Sequence, residues 1–297
     1  MRRVWSLISL PTAIAKLSTA INIGTVKKSF SNLNLLISSS ELRALLGSHN
    51  FLLVDTRPFS SYAQSHIPGA VNIDLMQFHW IDTSKQGLAQ FHKQARLLLS
   101  NIGVSKDKHV VFYDDLSGMS AARGVWLLLY FSHNKVRMLD GGFNKWKAQD
   151  YKTETTTHPF VHSTFSGKPD HRILADYSRI KSAIKRKKAI IIDARSREEY
   201  EGLAIRAAQM GHIPTAINID WKDNLEQDVF KSPEKLEKIY KLPKDAEVIT
   251  YCQGGYRAAN SFVALKIMGF KNARMYLGSW GEWGNRPGLP VEMPNRK

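Results

Sequence analysis

Cysteine is nearly missing from this chain: there is one, Cys252, in 297 residues. A single thiol excludes an internal disulfide and any thiolate metal cluster, and it fits a reducing intracellular compartment. The ten histidines are scattered, and no pair stands at zinc-ligand spacing beside acids or cysteines, so no metal is expected. Long apolar runs are also lacking. The one near the start is interrupted by Pro11 and Lys16 and is too short to span a bilayer. Acids are absent before Glu41, although Arg2, Arg3, Lys16, Lys27 and Lys28 fall in that stretch with several serines. An acid-free, Arg- and Ser-bearing leader has the character of a mitochondrial transit peptide. Residues 1–34 are therefore read as an extension directing the chain to the mitochondrial matrix, the alternative being a cytoplasmic protein with a disordered extension. The net charge of +16 favours anionic partners. It is spread out, however, and the one dense run, Lys185 to Lys188, reads as a solvated helix end. No basic stripe with interleaved aromatics exists, so nucleic acid is not expected as a partner.

What the chain does contain is itself, twice. Leu52-Leu-Val-Asp55-Thr-Arg57 returns as Ile190-Ile-Ile-Asp193-Ala-Arg195, and His66-Ile-Pro as His212-Ile-Pro. Val110-Val-Phe-Tyr113 returns as Val248-Ile-Thr-Tyr251, and Trp146 as Trp283. Asp55 to Tyr113 and Asp193 to Tyr251 both span 58 positions. The second copy has eight more residues between its Asp and His and eight fewer after the His-Ile-Pro block, so loops have moved while the framework has stayed. Short apolar strands alternating with helices predict an α/β fold of two similar domains, each a mostly parallel sheet covered on both faces. The expected division is 35–152, a polar linker 153–172, and 173–297. In the second copy, strands are expected at Ala189–Asp193, 217–219, Glu247–Tyr251 and 274–276. Helices are expected at 197–202 and 257–268, the latter ending before Gly269.

The copies disagree at one telling place. Tyr113 is followed by Asp114, and Tyr251 by Cys252. Both positions lie just past a strand and before a helix, where open α/β sheets bind ligands. The segment Cys252-Gln253-Gly254-Gly255-Tyr256-Arg257 lets two glycines turn the backbone tightly, with amide N–H groups aimed inward. The following helix presents its positive end, and Arg257 adds a full charge. That field favours the reactive thiolate, and a persulfide formed on it is also an anion. Cys252 is thus the expected nucleophile. Gln253, Gly254, Gly255, Tyr256, Arg257 and, from the eight-residue insertion, Arg206 are the expected substrate contacts. The paired Asp-x-Arg and His-Ile-Pro blocks occur in both copies, including the one without a nucleophile, and are read as structural. Trp280 and Trp283 are read as packing.

Both halves resemble rhodanese domains, and residues 35 to 295 together are similar to tandem-domain thiosulfate or 3-mercaptopyruvate sulfurtransferases. The resemblance rests on the Asp-x-Arg, His-Ile-Pro, Tyr-Cys and Gly-Ser-Trp-Gly-Glu-Trp283 blocks in order. It implies a first half that has lost its nucleophile, a persulfide on Cys252, and no metal or organic cofactor. The implied partners are a small anionic sulfur donor and an external thiol, cyanide or protein acceptor, with no membrane. The chain departs from the family in its loop. Mercaptopyruvate-type members tend to read Cys-Gly-Ser-Gly-Val-Thr there. Animal thiosulfate-type members place basic residues where Gln253 and Gly254 stand, and an arginine where Glu199 stands. The expected activity is transfer of sulfane sulfur from thiosulfate. The alternatives are 3-mercaptopyruvate as donor, a non-enzymatic persulfide carrier or redox-sensing module, and a phosphatase or arsenate reductase. The last wants Cys-x5-Arg, one residue longer than the loop here.

Overall fold

The computed structural model describes residues 34–293; residues 1–33, the body of the expected leader, lie outside the described residues. The first half contains β1 (Leu36–Ile37), α1 (Ser39–Leu45), β2 (Phe51–Asp55), α2 (Phe59–Gln64), β3 (Val71–Asn72), α3 (Lys85–Asn101), β4 (His109–Tyr113), α4 (Met119–Tyr130), β5 (Val136–Leu139) and α5 (Gly142–Ala148). The second half contains β6 (Leu174–Ala175), α6 (Tyr177–Arg186), β7 (Ala189–Asp193), α7 (Arg197–Tyr200), β8 (Ile217–Asn218), β9 (Leu225–Glu226), β10 (Val229–Phe230), α8 (Pro233–Tyr240), β11 (Glu247–Tyr251), α9 (Tyr256–Ile267), β12 (Ala273–Tyr276) and α10 (Ser279–Trp283).

Each half is a five-stranded sheet, ordered β1-β5-β4-β2-β3 and β6-β12-β11-β7-β8, with every pairing parallel. The equal spacing in the two copies has its cause in register: Asp55 pairs with Tyr113, and Asp193 with Tyr251. The apolar strands are buried on both faces, as parallel sheets require. Helix starts follow local chemistry. Ser38 and Glu41 form a capping box on α1, Ser196 and Glu199 another on α7, and Asp176 caps α6. Helix α9 begins at Tyr256, one residue before the expected start, and Gly269 beyond it takes φ +86°, the left-handed stop that glycine adopts without strain.

The central helices α4 and α9 each follow a central strand, and they pack against each other. Their side chains join one core that runs through both halves, including Phe91, Trp126, Phe262 and Val263. Smaller cores lie on the far face of each sheet. The hairpin β9–β10, turning through Gln227 and Asp228 at positive φ, was not legible in advance. It reaches the first half, where Ser117 N–H donates to Asp228 O at 2.8 Å and Phe230 N–H to Asp140 Oδ1 at 3.0 Å. The polar stretch after Tyr151 is largely exposed but tied down. Glu154 exchanges two backbone bonds with His66, and Ser163 N–H donates to Ser100 O. Phe165 is buried in the shared core.

The duplicated blocks are structural ties. Arg57 is held by Asp55 at 2.6 Å and donates to Ser65 O, and Arg195 is held by Asp193 at 2.6 Å and donates to Gly211 O. His66 and His212 stack on Tyr62 and Tyr200 at 3.8 and 3.7 Å. The fold also brings together a trio that spacing did not reveal, His66, Glu154 and His158. Their facing atoms are spent on hydrogen bonds. Glu154 Oε1 accepts from Gly69 N–H and meets His158 Nε2, both at 2.6 Å, while the ring nitrogens of His66 meet Tyr62 O and Thr156 O.

Candidate active site

The Cys252 loop is held from three sides. Strand β11 ends at Tyr251, whose hydroxyl donates to Asp193 Oδ2 at 2.6 Å. The start of α10 then grips the loop backbone. Cys252 N–H donates to Ser279 Oγ at 3.2 Å, and the Trp280 and Gly281 N–H groups donate to Cys252 O and Gln253 O, each at 2.8 Å. Trp280 and Trp283 are fully buried. Gly255, at φ +87°, caps α9, and its N–H donates to Cys252 Sγ at 3.1 Å. The sulfur therefore sits at the positive end of a twelve-residue helix. Cys252 is only 1% exposed, deeper than its loop position implied.

The third side belongs to the first half. His79 lies so close over the loop that a Cβ on Gly254 would come within 1.9 Å of its Cε1; a larger residue there has to displace the His79 ring. Tyr256, expected to touch substrate, instead donates its hydroxyl to Leu75 O at 2.8 Å and stacks on the His79 ring. It is an anchor between the halves. Burial, and then Arg123, hold the His79 imidazole below its ordinary pKa.

The mouth of the site is a knot of charge. Arg257 makes a two-pronged contact with Glu199, Nη1 to Oε2 at 2.5 Å and Nη2 to Oε1 at 2.9 Å. Arg206 approaches the same carboxylate, Nε to Oε1 at 3.7 Å, with its side chain 61% exposed. Gln253 donates from Nε2 to Arg206 O at 3.0 Å. Burial works against the charge on Arg257, but Glu199 and Cys252 raise its pKa above the ordinary value. Burial likewise opposes charge on Glu199, and Arg257 overcomes it. Arg257 is therefore firmly charged, but it is neutralised by a partner that the sequence revealed only as the place of a missing arginine. Of the seven expected site residues, the fold gathers Cys252, Gln253, Gly254, Gly255, Arg257 and Arg206 around the loop and its mouth. Glu199, His79 and Arg123 were missed. Glu199 left one local trace, its capping box with Ser196. His79 and Arg123 left none, because they come from the other half.

The first half carries the same device with a different occupant. Asp114 follows β4, and its carboxylate accepts N–H bonds from Gly118, Ser120 and Ala121 at 3.0, 3.1 and 3.2 Å. Burial pushes this carboxyl up to about 7, against those three donors. Where no thiol is present, the loop and helix start thus surround an acid, the arrangement of an anion site at a helix N-terminus.

Comparison with known proteins agrees with this layout. The model of the rhodanese-like domain matches residues 38–149 and again 176–286. A thiosulfate sulfurtransferase from Pseudomonas aeruginosa is 32% identical over 276 residues, covering 89% of this chain and 99% of that protein. The sulfur carrier protein TtuD of Thermus thermophilus is 30% identical, covering 86% of this chain and 92% of its own. Among solved structures, SseA from Escherichia coli, described under the fold and mechanism of 3-mercaptopyruvate sulfotransferases, superposes with a TM-score of 0.71 at 25% identity. That match covers 83% of this chain and 98% of SseA.

Proposed function

Because the chain belongs to the rhodanese-like domain family, we propose that it is a sulfurtransferase moving the outer sulfur of thiosulfate to a thiophilic acceptor through a persulfide on Cys252. The reaction is a double displacement. The Cys252 thiolate attacks the sulfane sulfur, the sulfur–sulfur bond of thiosulfate breaks, and sulfite leaves with the electron pair. Cyanide or a thiolate then attacks the terminal sulfur and releases the thiolate of Cys252. No proton has to move in the first step, so the site needs no general base. No second cysteine exists in the chain, so the acceptor comes from outside.

The observation carrying this reading is the placement of the chain's one thiol, with the Gly255 N–H on Sγ at 3.1 Å. The kind of N–H donor that caps α4 through Asp114 in the first half here faces a thiol. We place the donor's approach beside Gln253, Arg206 and the Arg257–Glu199 pair, which adjoin the loop. An anionic donor competes with Glu199 for the two guanidiniums and so loosens the pair as it arrives. A second reading, 3-mercaptopyruvate as donor, is favoured by Glu199 itself. It leaves the mouth with two cations and one anion, a balance that suits a monoanion.

The deciding experiment is mass spectrometry after incubation with each donor separately. Thiosulfate is expected to add one sulfur to the Cys252 peptide, and Cys252→Ser to abolish transfer while the fold persists. Full activity in that variant ends the proposal. A gain with mercaptopyruvate alone transfers it to the second reading. A stable persulfide with no turnover makes the protein a carrier. For the described residues, no helix is long and apolar enough to cross a membrane.

A further inference from the structure

Arg123 has no part in the scheme above. It lies in α4, in the half without a nucleophile, and is 2% exposed. Among the described residues its Nη1 meets only Met275 Sδ, at 3.7 Å, and its Nε and Nη2 have no hydrogen-bond partner. Among the described residues no carboxylate forms a salt bridge with it. A buried guanidinium without a counter-charge is strongly unfavourable. The Trp126 and Tyr256 rings lie at 4.7 and 5.4 Å from its centre, and such contacts offset only part of that cost. Something else must hold the charge there.

The guanidinium lies against the Cys252 loop. A Cβ built on Gly255 would stand 3.1 Å from Arg123 Nη1, and Gly255 is the residue whose N–H holds Sγ. The fold provides an internal comparison. Arg123 is the fifth residue of α4, and Asn260 is the fifth residue of α9. Asn260 also crosses between the halves, donating from Nδ2 to Ser117 O at 2.8 Å in the loop of Asp114. Each central helix therefore sends its fifth side chain to the other half's loop. The loop built around a carboxyl receives a neutral amide, and the loop built around a thiol receives a cation.

The charged and titratable groups facing the thiol come from three elements. Arg257 and Tyr256 of α9 and Arg123 of α4 act on Cys252, and His79, between β3 and α3, lies over Gly254 of its loop. Arg257 is taken up by Glu199. The Tyr256 phenol, pushed up to about 12 by burial, is neutral at physiological pH. Burial and Arg123 keep His79 toward its neutral form. Arg123 is the charge left uncompensated.

We propose that Arg123 is the charge partner of the Cys252 sulfur, holding the thiolate and then the persulfide anion from across the interface between the halves. It is a positioning residue that acts through the field at the loop and touches no substrate. The half that lost its nucleophile is then the source of the cation on which the other half's chemistry depends.

The inference rests on Cys252 being the sulfur-carrying nucleophile, but its test needs no turnover. The chain's lone thiol can be titrated by its ultraviolet thiolate absorbance in the full-length protein. Arg123→Met keeps the length and the ring contacts without the charge. Its titration midpoint is expected to move up by about one pH unit or more, and Arg123→Lys to return most of that shift. An unchanged midpoint in a folded Arg123→Met protein overturns the proposal. Should that variant not fold, Cys252→Asp and Cys252→Asn are compared with Arg123 in place. Asp is expected to give the higher thermal midpoint, and Asn equalling or exceeding it overturns the proposal. Sulfur transfer by the unsubstituted protein is measured alongside. Absent transfer removes the functional reading and leaves the titration result standing, whereas normal transfer with an unmoved midpoint removes only the role of Arg123.

Discussion

At the scale of single residues, the site is decided by who holds Arg257. The sequence places that arginine in the loop, and the fold hands it to Glu199. On the proposed reading a donor anion competes with this carboxylate, so Glu199→Gln is expected to lower the Michaelis constant for thiosulfate about threefold, roughly 0.7 kcal/mol. Gln retains the ability to close the capping box of α7, so the fold should be undisturbed. Steady-state kinetics across donor concentrations checks this. A raised constant would mean that Glu199 serves to aim Arg257 rather than to rival the donor. Cys252 was legible without a structure because it is the only thiol and stands where the two copies differ. Glu199 was not, since nothing local says which of many glutamates will meet an arginine 58 positions away.

At the scale of elements, the two β–loop–α units following β4 and β11 are the same construction with different occupants. Asp114 caps the start of α4 through three N–H donors, yet burial holds its carboxyl near 7. The sign of the consequence follows from linkage. An ordinary Asp titrates near 3.8 in the unfolded chain, so between that value and about 7 the folded protein binds the extra proton. The associated stability is present below 3.8 and lost as pH rises through 7. Asp114→Asn removes this dependence. Its thermal midpoint relative to the unsubstituted protein is expected to rise by roughly 3 °C or more from pH 5 to pH 8. Parallel scans at both pH values test it, and a constant difference would refute it. The strands and helices of these units were readable from short apolar runs and from Gly269. The β9–β10 hairpin escaped because its strands are two residues long and its turn uses Gln227 and Asp228 in place of glycine.

At the scale of the whole molecule, repetition in the chain did not become independence in the fold. One core runs through both halves, and polar ties cross between them. Tyr256 donates to Leu75 O, Asn260 to Ser117 O, and Thr83 N–H to Glu282. A single cooperative calorimetric transition is expected for the full chain. Residues 173–297 expressed alone bare the face of α9 that packs on α4 and leave those groups unpartnered, so they are expected to lack cooperative unfolding. Two resolved transitions, or a separately stable and active second half, would contradict this.

The sequence by itself determined the doubled α/β architecture, the strand leading into Cys252 and the glycine turn behind it, because these depend on periodicity and on chemistry between near neighbours. Only the tertiary structure decided how deep the sulfur lies, that Glu199 neutralises Arg257, and that His79 and Arg123 of the first half lie against the loop of the second. Those contacts join residues far apart in the chain, and such long-range electrostatic pairing leaves no local pattern to read. It arises when two similar sheets bury their central helices against each other.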